Sequence, residues 1–206
     1  MLDEKMVALY DLGQGLILLR DARQIAEMVL DIAARLLDCQ DSNFWLIDQA
    51  RQELYVAAAR GFLQGSDRRQ PLDSKRGIVV AAARTRRKIC VSDVSKDPRY
   101  IQWGFQATSE LAVPVLIENR VLGVLNVESV HPNAYGDADQ ELLSILANQA
   151  ALALENARLY AEEKRRAQEM TVLNIISQRI SQSLDLQTTL QAIVDSAARL
   201  IPCVLA

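Results

Sequence analysis

Hydrophobic residues recur at helical spacing in the segment that follows Asp21. This pattern is typical of an amphipathic helix with one buried side. Asp21 stands three residues before Gln24, an arrangement in which the aspartate caps the helix N-terminus. The segment 21–39 therefore predicts a capped helix whose buried face consists of Ile25, Met28, Val29, Ile32, Leu36 and Leu37.

The following segments change period. Residues 42–62, SNFWLIDQARQELYVAAARGF, show two alternating runs separated by the polar DQARQE, which predicts two antiparallel strands. Helical spacing returns in RGIVVAAARTRR (76–87), and KICVSDV (88–94) reads as a short strand. SKDPRYIQW (95–103) predicts a brief helix with Pro98 in its first turn, where the missing N–H costs nothing.

The most apolar stretch is a predicted hairpin. ELAVPVLI (110–117), the turn ENR and VLGVLNVES (121–129) carry apolar residues at nearly every position. Such strands lie in the centre of a sheet and are covered on both faces.

A long helical pattern follows, because residues 137–184 contain neither Gly nor Pro. A continuous helix of this length would run about 70 Å, more than twice the width of a small domain. Its first part has enough apolar surface to pack on the sheet. The remainder carries a seven-residue lattice that Arg166 interrupts, which indicates a weak coiled coil formed with a second copy; the alternative is a solvated helix. The lattice consists of Ile145, Leu152, Leu159, Leu173 and Ile180, and Leu2, Met6, Leu9 and Leu16 offer a second stripe.

The chain also resembles itself at an offset of 164 positions. Residues 16–39 align with 180–203, so that AARL at 33–36 matches AARL at 197–200 and Cys39 matches Cys203. One long offset indicates tandem domains rather than a solenoid. We therefore expect the chain to stop inside its second unit, whose first helix lacks a sheet to cover it.

Composition and charge exclude several classes of function. The net charge of −3 argues against a nucleic-acid-binding protein, and no apolar stretch reaches the length of a membrane span. The acidic N-terminus does not resemble a secretory signal, so a cytoplasmic location is expected. Three scattered cysteines and a single histidine, His131, predict reduced thiols and no metal site.

Several segments together resemble the GAF domain, a small-molecule-sensing module of bacterial signalling proteins and cyclic-nucleotide phosphodiesterases. The resemblance covers roughly residues 15 to 160 and rests on ELYVAAARGF, KICVSDVSKDPRY, SELAVPVLIENRVLGVLNVES and AYGDADQELLSILANQAALALENARLY. It implies an α+β fold, an α/β sandwich. A central antiparallel sheet of about five to six strands would have the N- and C-terminal helices on one face and a pocket under short helices and loops on the other. DSKRGI and TRRKI depart from the common pattern of the family and add positive charge beside that pocket.

The resemblance also suggests an organisation and a function. Residues 1–18 would be an N-terminal linker helix, 19–158 the GAF domain, 159–184 a coiled-coil-like signalling helix and 185–206 the truncated first helix of a second GAF domain. The predicted function is a non-catalytic sensor of a larger signal-transduction protein, of histidine kinase or nucleotide cyclase type. It would work as a homodimer through its terminal helices and pass ligand binding to a downstream output domain. The alternative is a dimerisation or spacer module that binds no small molecule.

Ligand contacts are expected in the segment DPRYIQWGFQATS, which combines aromatic rings with hydrogen-bond donors where the family places its lid. The candidates are Arg99, Tyr100, Trp103, Phe105 and Ser109. No cofactor, metal or catalytic residue is predicted, because the cyclic-nucleotide signature cannot be placed and the cysteines lie in separate elements. A weaker hypothesis assigns nucleic acid or phosphorylated ligands to residues 60–88, which hold nine basic and two acidic side chains.

Overall fold

The computed structural model describes residues 13, 15, 16 and 18–200, without the side chains of 180–185 and 197–200. Leu2, Met6 and Leu9 of the predicted second stripe, and also Cys203, lie outside the described residues. The chain divides into two compact units, residues 1–159 and 160–206, which are described separately.

From Ala22 to Leu200, six strands and three helices follow one another. In order they are α1 (Ala22–Leu36), β1 (Asp41–Asp48), β2 (Glu53–Arg60), β3 (Arg69–Pro71), α2 (Ile78–Thr85), β4 (Ile89–Val91), a 3-10 turn (Val94–Lys96), β5 (Ser109–Ile117), β6 (Arg120–Ser129) and α3 (Asp137–Leu200).

The strands form one antiparallel sheet in the order β3-β2-β1-β6-β5-β4. The apolar hairpin β5–β6 lies in its centre, as the sequence predicts. Gly123 of β6 lies against β1 so closely that a Cβ atom there would come within 2.0 Å of the Trp45 carbonyl oxygen. Only glycine allows the two backbones this approach.

One face of the sheet is covered by helices. Asp21 caps α1 by accepting the backbone N–H groups of Arg23 and Gln24. The buried side of α1 and the first turns of α3 pack over Phe44 and the alternate residues of β5 and β6 in one apolar core. Each large side chain buried in this way contributes roughly 1.5–3 kcal/mol. Leu16 belongs to this core and is 3% exposed, so it does not offer the free stripe that the sequence predicts.

The opposite face of the sheet is covered by α2 and by irregular chain. Trp45, Ala112 and Val124 pack there against Ile78 and Val80. The predicted α+β fold, with helices on one face and short helices and loops on the other, is confirmed.

The helix predicted over residues 95–103 is wrong. The structure has a single 3-10 turn at Val94–Lys96, and the chain from Asp97 to Thr108 is irregular. Asp93 accepts the backbone N–H of Ser95, and Asp97 accepts that of Arg99. These two side chains satisfy backbone donors locally and so favour turns over a helix.

The second unit is helical from Tyr160 to Leu200, its described part. Several apolar side chains there are exposed, among them Met170 (60%), Leu173 (59%) and Ile176 (47%). Among the described residues, no helix combines the length and apolarity that crossing a membrane requires.

Candidate functional site

Three acidic residues form a row across the centre of the sheet. Asp41 of β1 lies directly opposite Glu128 of β6, and Glu128 lies directly opposite Glu110 of β5. Directly paired residues point to the same face of a sheet, here the face that α2 covers. All three are buried, with exposed fractions of 2%, 8% and 4% respectively.

A second row of polar residues lies beside the first. Asn43 and Asn126 are paired across β1 and β6, and each sits two residues from an acidic residue of its own strand. Asn126 donates a hydrogen bond from Nδ2 to Glu128 Oε1 at 3.2 Å and also hydrogen-bonds Glu110. The amide of Asn126 thus bridges the two glutamates.

Asp41 is held by the loop that follows β2. Its Oδ1 accepts the backbone N–H of Phe62, and its Oδ2 accepts Nδ2 of Asn43 at 3.3 Å. Gly61 has a φ of +91°, and a Cβ atom there would lie 2.4 Å from Asp41 Oδ1. Burial raises the pKa of Asp41, and these hydrogen bonds oppose the rise.

The two glutamates have fewer donors, and their pKa values rise further. Burial, followed by the charge of Asp41, raises the pKa of Glu128 to about 8. Burial, followed by the charge of Glu128, raises the pKa of Glu110 well above its ordinary value, while Arg99 opposes the rise. Two like charges on directly opposed buried residues repel each other, so the arrangement favours the protonated form of the pair.

A small cavity of about 10 Å³, close to the space of one water molecule, is lined by Asn43, Asn126 and Glu110 from these two rows. Two oxygen atoms in its wall, Gln70 Oε1 and Asn126 Oδ1, have no hydrogen-bond partner among the described residues. Both side chains are almost fully buried, at 4% and 2% exposed. With Glu110 also in the wall, the cavity has a surplus of acceptors.

The irregular segment 97–108 closes this cavity, and Trp103 is part of the wall. The Arg68 guanidinium stacks 4.4 Å from the centroid of the Trp103 ring. Arg76 donates to the Tyr100 carbonyl oxygen at 2.8 Å. Gly104 has a φ of +117° and lies directly against the Phe62 ring. A ligand larger than water can reach the glutamates only if this segment moves.

The residues predicted from sequence fall in different places around this segment. Trp103 lines the cavity, and Tyr100 packs beside it with its hydroxyl 3.5 Å from the Phe105 carbonyl oxygen. Arg99 is bound to Asp97 by two side-chain hydrogen bonds, of 2.9 and 2.6 Å. Ser109 donates to the His131 carbonyl oxygen and lies on the opposite face of β5 from Glu110. A ligand-binding role for these five residues stays a prediction.

Sequence reasoning missed the acidic and amide residues of the site. A signal was present, because Glu110, Asn126 and Glu128 interrupt strands that are otherwise apolar. A polar residue inside a buried strand requires a partner, and that requirement points to a site.

Several basic residues of the region 60–88 make contacts within the fold. Arg60 pairs with Asp31 at 2.8 Å and Arg69 with Glu53 at 2.6 Å, while Arg68 and Arg76 hold the irregular segment. These four cations serve the structure of the first unit.

The two described thiols have raised pKa values. Burial, followed by Asp38 and Asp41, raises the pKa of Cys39 to about 11, and burial raises that of Cys90. Neither lines the small cavity. Within the described part of the chain, no group of His, Cys, Asp and Glu residues could hold a metal ion.

A larger open groove of about 690 Å³ lies at the β4 edge of the sheet. Its charged side chains pair with one another, Asp93 with Lys96 at 2.9 Å and Asp97 with Arg99 at 2.6 Å. The small cavity is therefore the stronger candidate, because its polar atoms lack such partners.

Comparison with known proteins identifies relatives of the first unit. A family model described as a GAF domain matches residues 20–155. A probable 3',5'-cyclic phosphodiesterase of Caenorhabditis elegans is 24% identical over 161 residues, which are 70% of this chain and 22% of that protein. The free methionine-R-sulfoxide reductase of Saccharomyces cerevisiae is 30% identical over 112 residues, which are 54% of this chain and 61% of the reductase.

A solved structure gives the same fold. The free methionine-R-sulfoxide reductase of Neisseria meningitidis, in complex with its substrate, aligns with a TM-score of 0.68 and 24% identity. The alignment covers 76% of this chain and 91% of that one.

These comparisons overturn the prediction that the chain is not an enzyme. One of its sequence relatives is a reductase, and structures of such reductases share its fold. The prediction relied on cysteines that lie in separate elements, whereas the fold that the sequence indicated also belongs to catalysts.

Proposed function

Because this chain belongs to the GAF domain family, we propose that its buried acceptor-rich cavity binds a small ligand through a protonated amine. The observation that carries this proposal is the unequal number of donors and acceptors around the cavity. The cavity wall carries the Glu110 carboxyl and two buried acceptors without a partner among the described residues, Gln70 Oε1 and Asn126 Oδ1. Glu110 is paired across the sheet with the buried Glu128. An ammonium group supplies three donors and a positive charge.

The charges around the site favour a cation over an anion. Arg99 is the cation that acts on Glu110, and it is already bound to Asp97 by two hydrogen bonds. An anionic ligand such as a cyclic nucleotide would meet the Glu110 carboxyl in the cavity wall, with Glu128 and Asp41 in the same row of the sheet. A free amino acid places its ammonium on the glutamates and its side chain against Trp45 and Trp103, which also line the cavity.

Matched ligands test this proposal by calorimetry and thermal shift. The series consists of L-methionine, its R-sulfoxide, the corresponding amine without the carboxylate and the corresponding acid without the amine. We expect the three amine-bearing compounds to bind and the acid without an amine to fail. Equal binding of that acid would refute the proposal.

Variants localise the binding. Glu110→Gln removes one carboxyl group from the row, and we expect at least a 10-fold loss of affinity, since a hydrogen bond to a charged group contributes about 1.5–3 kcal/mol. Glu118→Gln is the matched control, because Glu118 is exposed in the turn of the same hairpin. The absence of binding by any amine would favour the spacer module without a ligand.

A signalling role is suggested by the similarity of this GAF domain to part of a probable cyclic phosphodiesterase. We propose that this domain reports ligand binding to an output domain of histidine kinase or nucleotide cyclase type, through α3 and a second copy of the chain. Support comes from the exposed apolar residues Met170 and Leu173, which are spaced like neighbouring positions of a heptad seam. The tandem arrangement and the cytoplasmic location also remain proposals.

Light scattering of the full chain tests whether two copies associate. We expect a dimer, and a shift towards monomer in Met170→Lys/Leu173→Lys. The control Gln168→Lys changes an exposed residue of the same helix that lies off the seam. A wild-type chain that stays monomeric at high concentration would refute this part of the proposal.

Reduction of a small sulfoxide is a second candidate function, favoured by the 30% identity to the yeast reductase. The test is loss of free methionine R-sulfoxide in the presence of dithiothreitol, followed by chromatography. Cys39→Ser and Cys90→Ser would show whether either described thiol takes part. No turnover above a protein-free control would refute this function without affecting the binding proposal.

A further inference from the structure

We propose that the Glu110–Glu128 pair is a proton–cation exchange site, which holds a proton when it is empty and releases it when a ligand ammonium binds. This inference rests on the amine-binding function proposed above. It adds that the domain responds to pH and ligand together, because protons and ligand compete for one pair of carboxyl groups.

The geometry of the pair supports the exchange. Glu110 and Glu128 are directly opposed on two hydrogen-bonded strands, and Asp41 extends the row on the other side of Glu128. The glutamates are 4% and 8% exposed, so water does not screen their charges. In such surroundings an empty pair cannot carry two negative charges and keeps a proton instead.

The groups that face the pair do not supply a neutralising cation. Strand β1 contributes Asp41, and the irregular segment contributes Asp97, Arg99 and Tyr100. Tyr100 interacts electrostatically with both glutamates. Arg99 is held by Asp97, and Gln70 of β3 is neutral. After β6, Tyr135 belongs to the core on the other face of the sheet, where burial, followed by Cys39 and Glu128, raises its pKa. Helix α2 faces the cavity with Ile78 and Val79.

The exchange balances as a simple proton transfer to solvent. A glutamic acid and a ligand ammonium give a glutamate–ammonium pair and one free proton. The O–H bond of the acid breaks, its electron pair stays on the carboxylate, and the ammonium keeps its own protons. If one proton is released on binding, the affinity for the ligand rises about 10-fold for each unit increase in pH, as thermodynamic linkage requires.

The affinity for L-methionine should stop rising with pH once the empty pair has lost its proton. That change is centred near the pKa of Glu128, about 8. Below this pH, binding of L-methionine should release close to one proton per ligand.

Calorimetry with L-methionine and the full chain at pH 6.5 tests the inference. Titrations in phosphate and in MES, which differ in ionisation enthalpy and carry no primary amine, give the number of protons released. We expect about one for the wild type and for the control Glu118→Gln, and a clear decrease for Glu128→Gln. Binding of L-methionine without proton release would overturn the exchange and leave the amine-binding function intact.

Infrared spectroscopy provides a readout that is independent of affinity. The empty wild type should show the band of a protonated carboxylic acid at pH 6.5, and saturating L-methionine should remove it. Glu110→Gln/Glu128→Gln should lack the band from the start. A band that survives saturation overturns the exchange alone, whereas a failure of every amine to bind overturns both this inference and the proposed function.

Discussion

Replacing Glu128 by glutamine should change how the stability of the empty protein depends on pH. The side chain is 8% exposed, and burial raises its pKa from 4.5 to about 8. Glutamine has the shape of the protonated acid and can still accept the hydrogen bond from Asn126. The variant therefore removes the titration and keeps the contact.

The sign of the effect follows from the raised pKa. The protonated carboxyl stabilises the folded state fully below the unfolded pKa of 4.5, and this contribution is lost as the pH rises through about 8. Over this window the folded state binds one more proton than the unfolded state, so the free energy of unfolding falls by about 1.4 kcal/mol per pH unit at most. Between pH 5 and pH 7 the total is about 2–3 kcal/mol, or about 5–10 °C in Tm for a chain of this size.

Urea and thermal unfolding at intervals from pH 5 to pH 8 measure this dependence. We expect the stability of Glu128→Gln relative to wild type to increase by about 2–3 kcal/mol between pH 5 and pH 7. For Glu118→Gln, in the exposed turn of the same hairpin, the free energy of unfolding should depend on pH as it does in wild type. If the stability of Glu128→Gln also has the pH dependence of wild type, the carboxyl does not hold a proton in the folded state and the reasoning is refuted.

Three further substitutions test separate parts of the structure. Gly123→Ala should destabilise the first unit by at least about 2 kcal/mol in urea unfolding, because the new Cβ would lie 2.0 Å from the Trp45 carbonyl oxygen; a neutral result would contradict the close strand pairing. Asp21→Ala should cost about 1 kcal/mol through loss of the α1 cap, and Asp21→Asn should restore most of it. Arg68→Ala should remove a stacking contact of about 0.5–2 kcal/mol and accelerate L-methionine association in stopped-flow Trp103 fluorescence; an unchanged rate would show that this contact does not hold the segment closed.

Local patterns were sufficient for most of the fold. The helical spacing after Asp21, the apolar hairpin and the chain free of Gly and Pro after Asp137 each predicted an element that the structure contains. Strand β3 was missed because three residues, Arg69–Pro71, carry no alternation. The helix over 95–103 was wrong because side chains of nearby aspartates bind the backbone there, which helical spacing does not reveal.

The candidate site was much harder to predict. Trp103 stood out by its residue type, and it lines the cavity. The carboxyl row was missed because Asp41, Glu110 and Glu128 lie far apart in the sequence, and no local spacing connects them. A shift of one residue in the register of any of these strands would turn its carboxyl to the other face of the sheet.

The sequence by itself determined which segments become helices and strands, because that choice depends on the spacing of apolar residues within a few turns. It also determined the family, whose motifs follow one another in order. Only the tertiary structure decided that three carboxyl groups form one row across the sheet, that Arg99 is bound to Asp97, and that two amide oxygens lack partners among the described residues. Register and burial are set by contacts between distant segments, and these contacts decide which charges are brought together and which groups retain a proton.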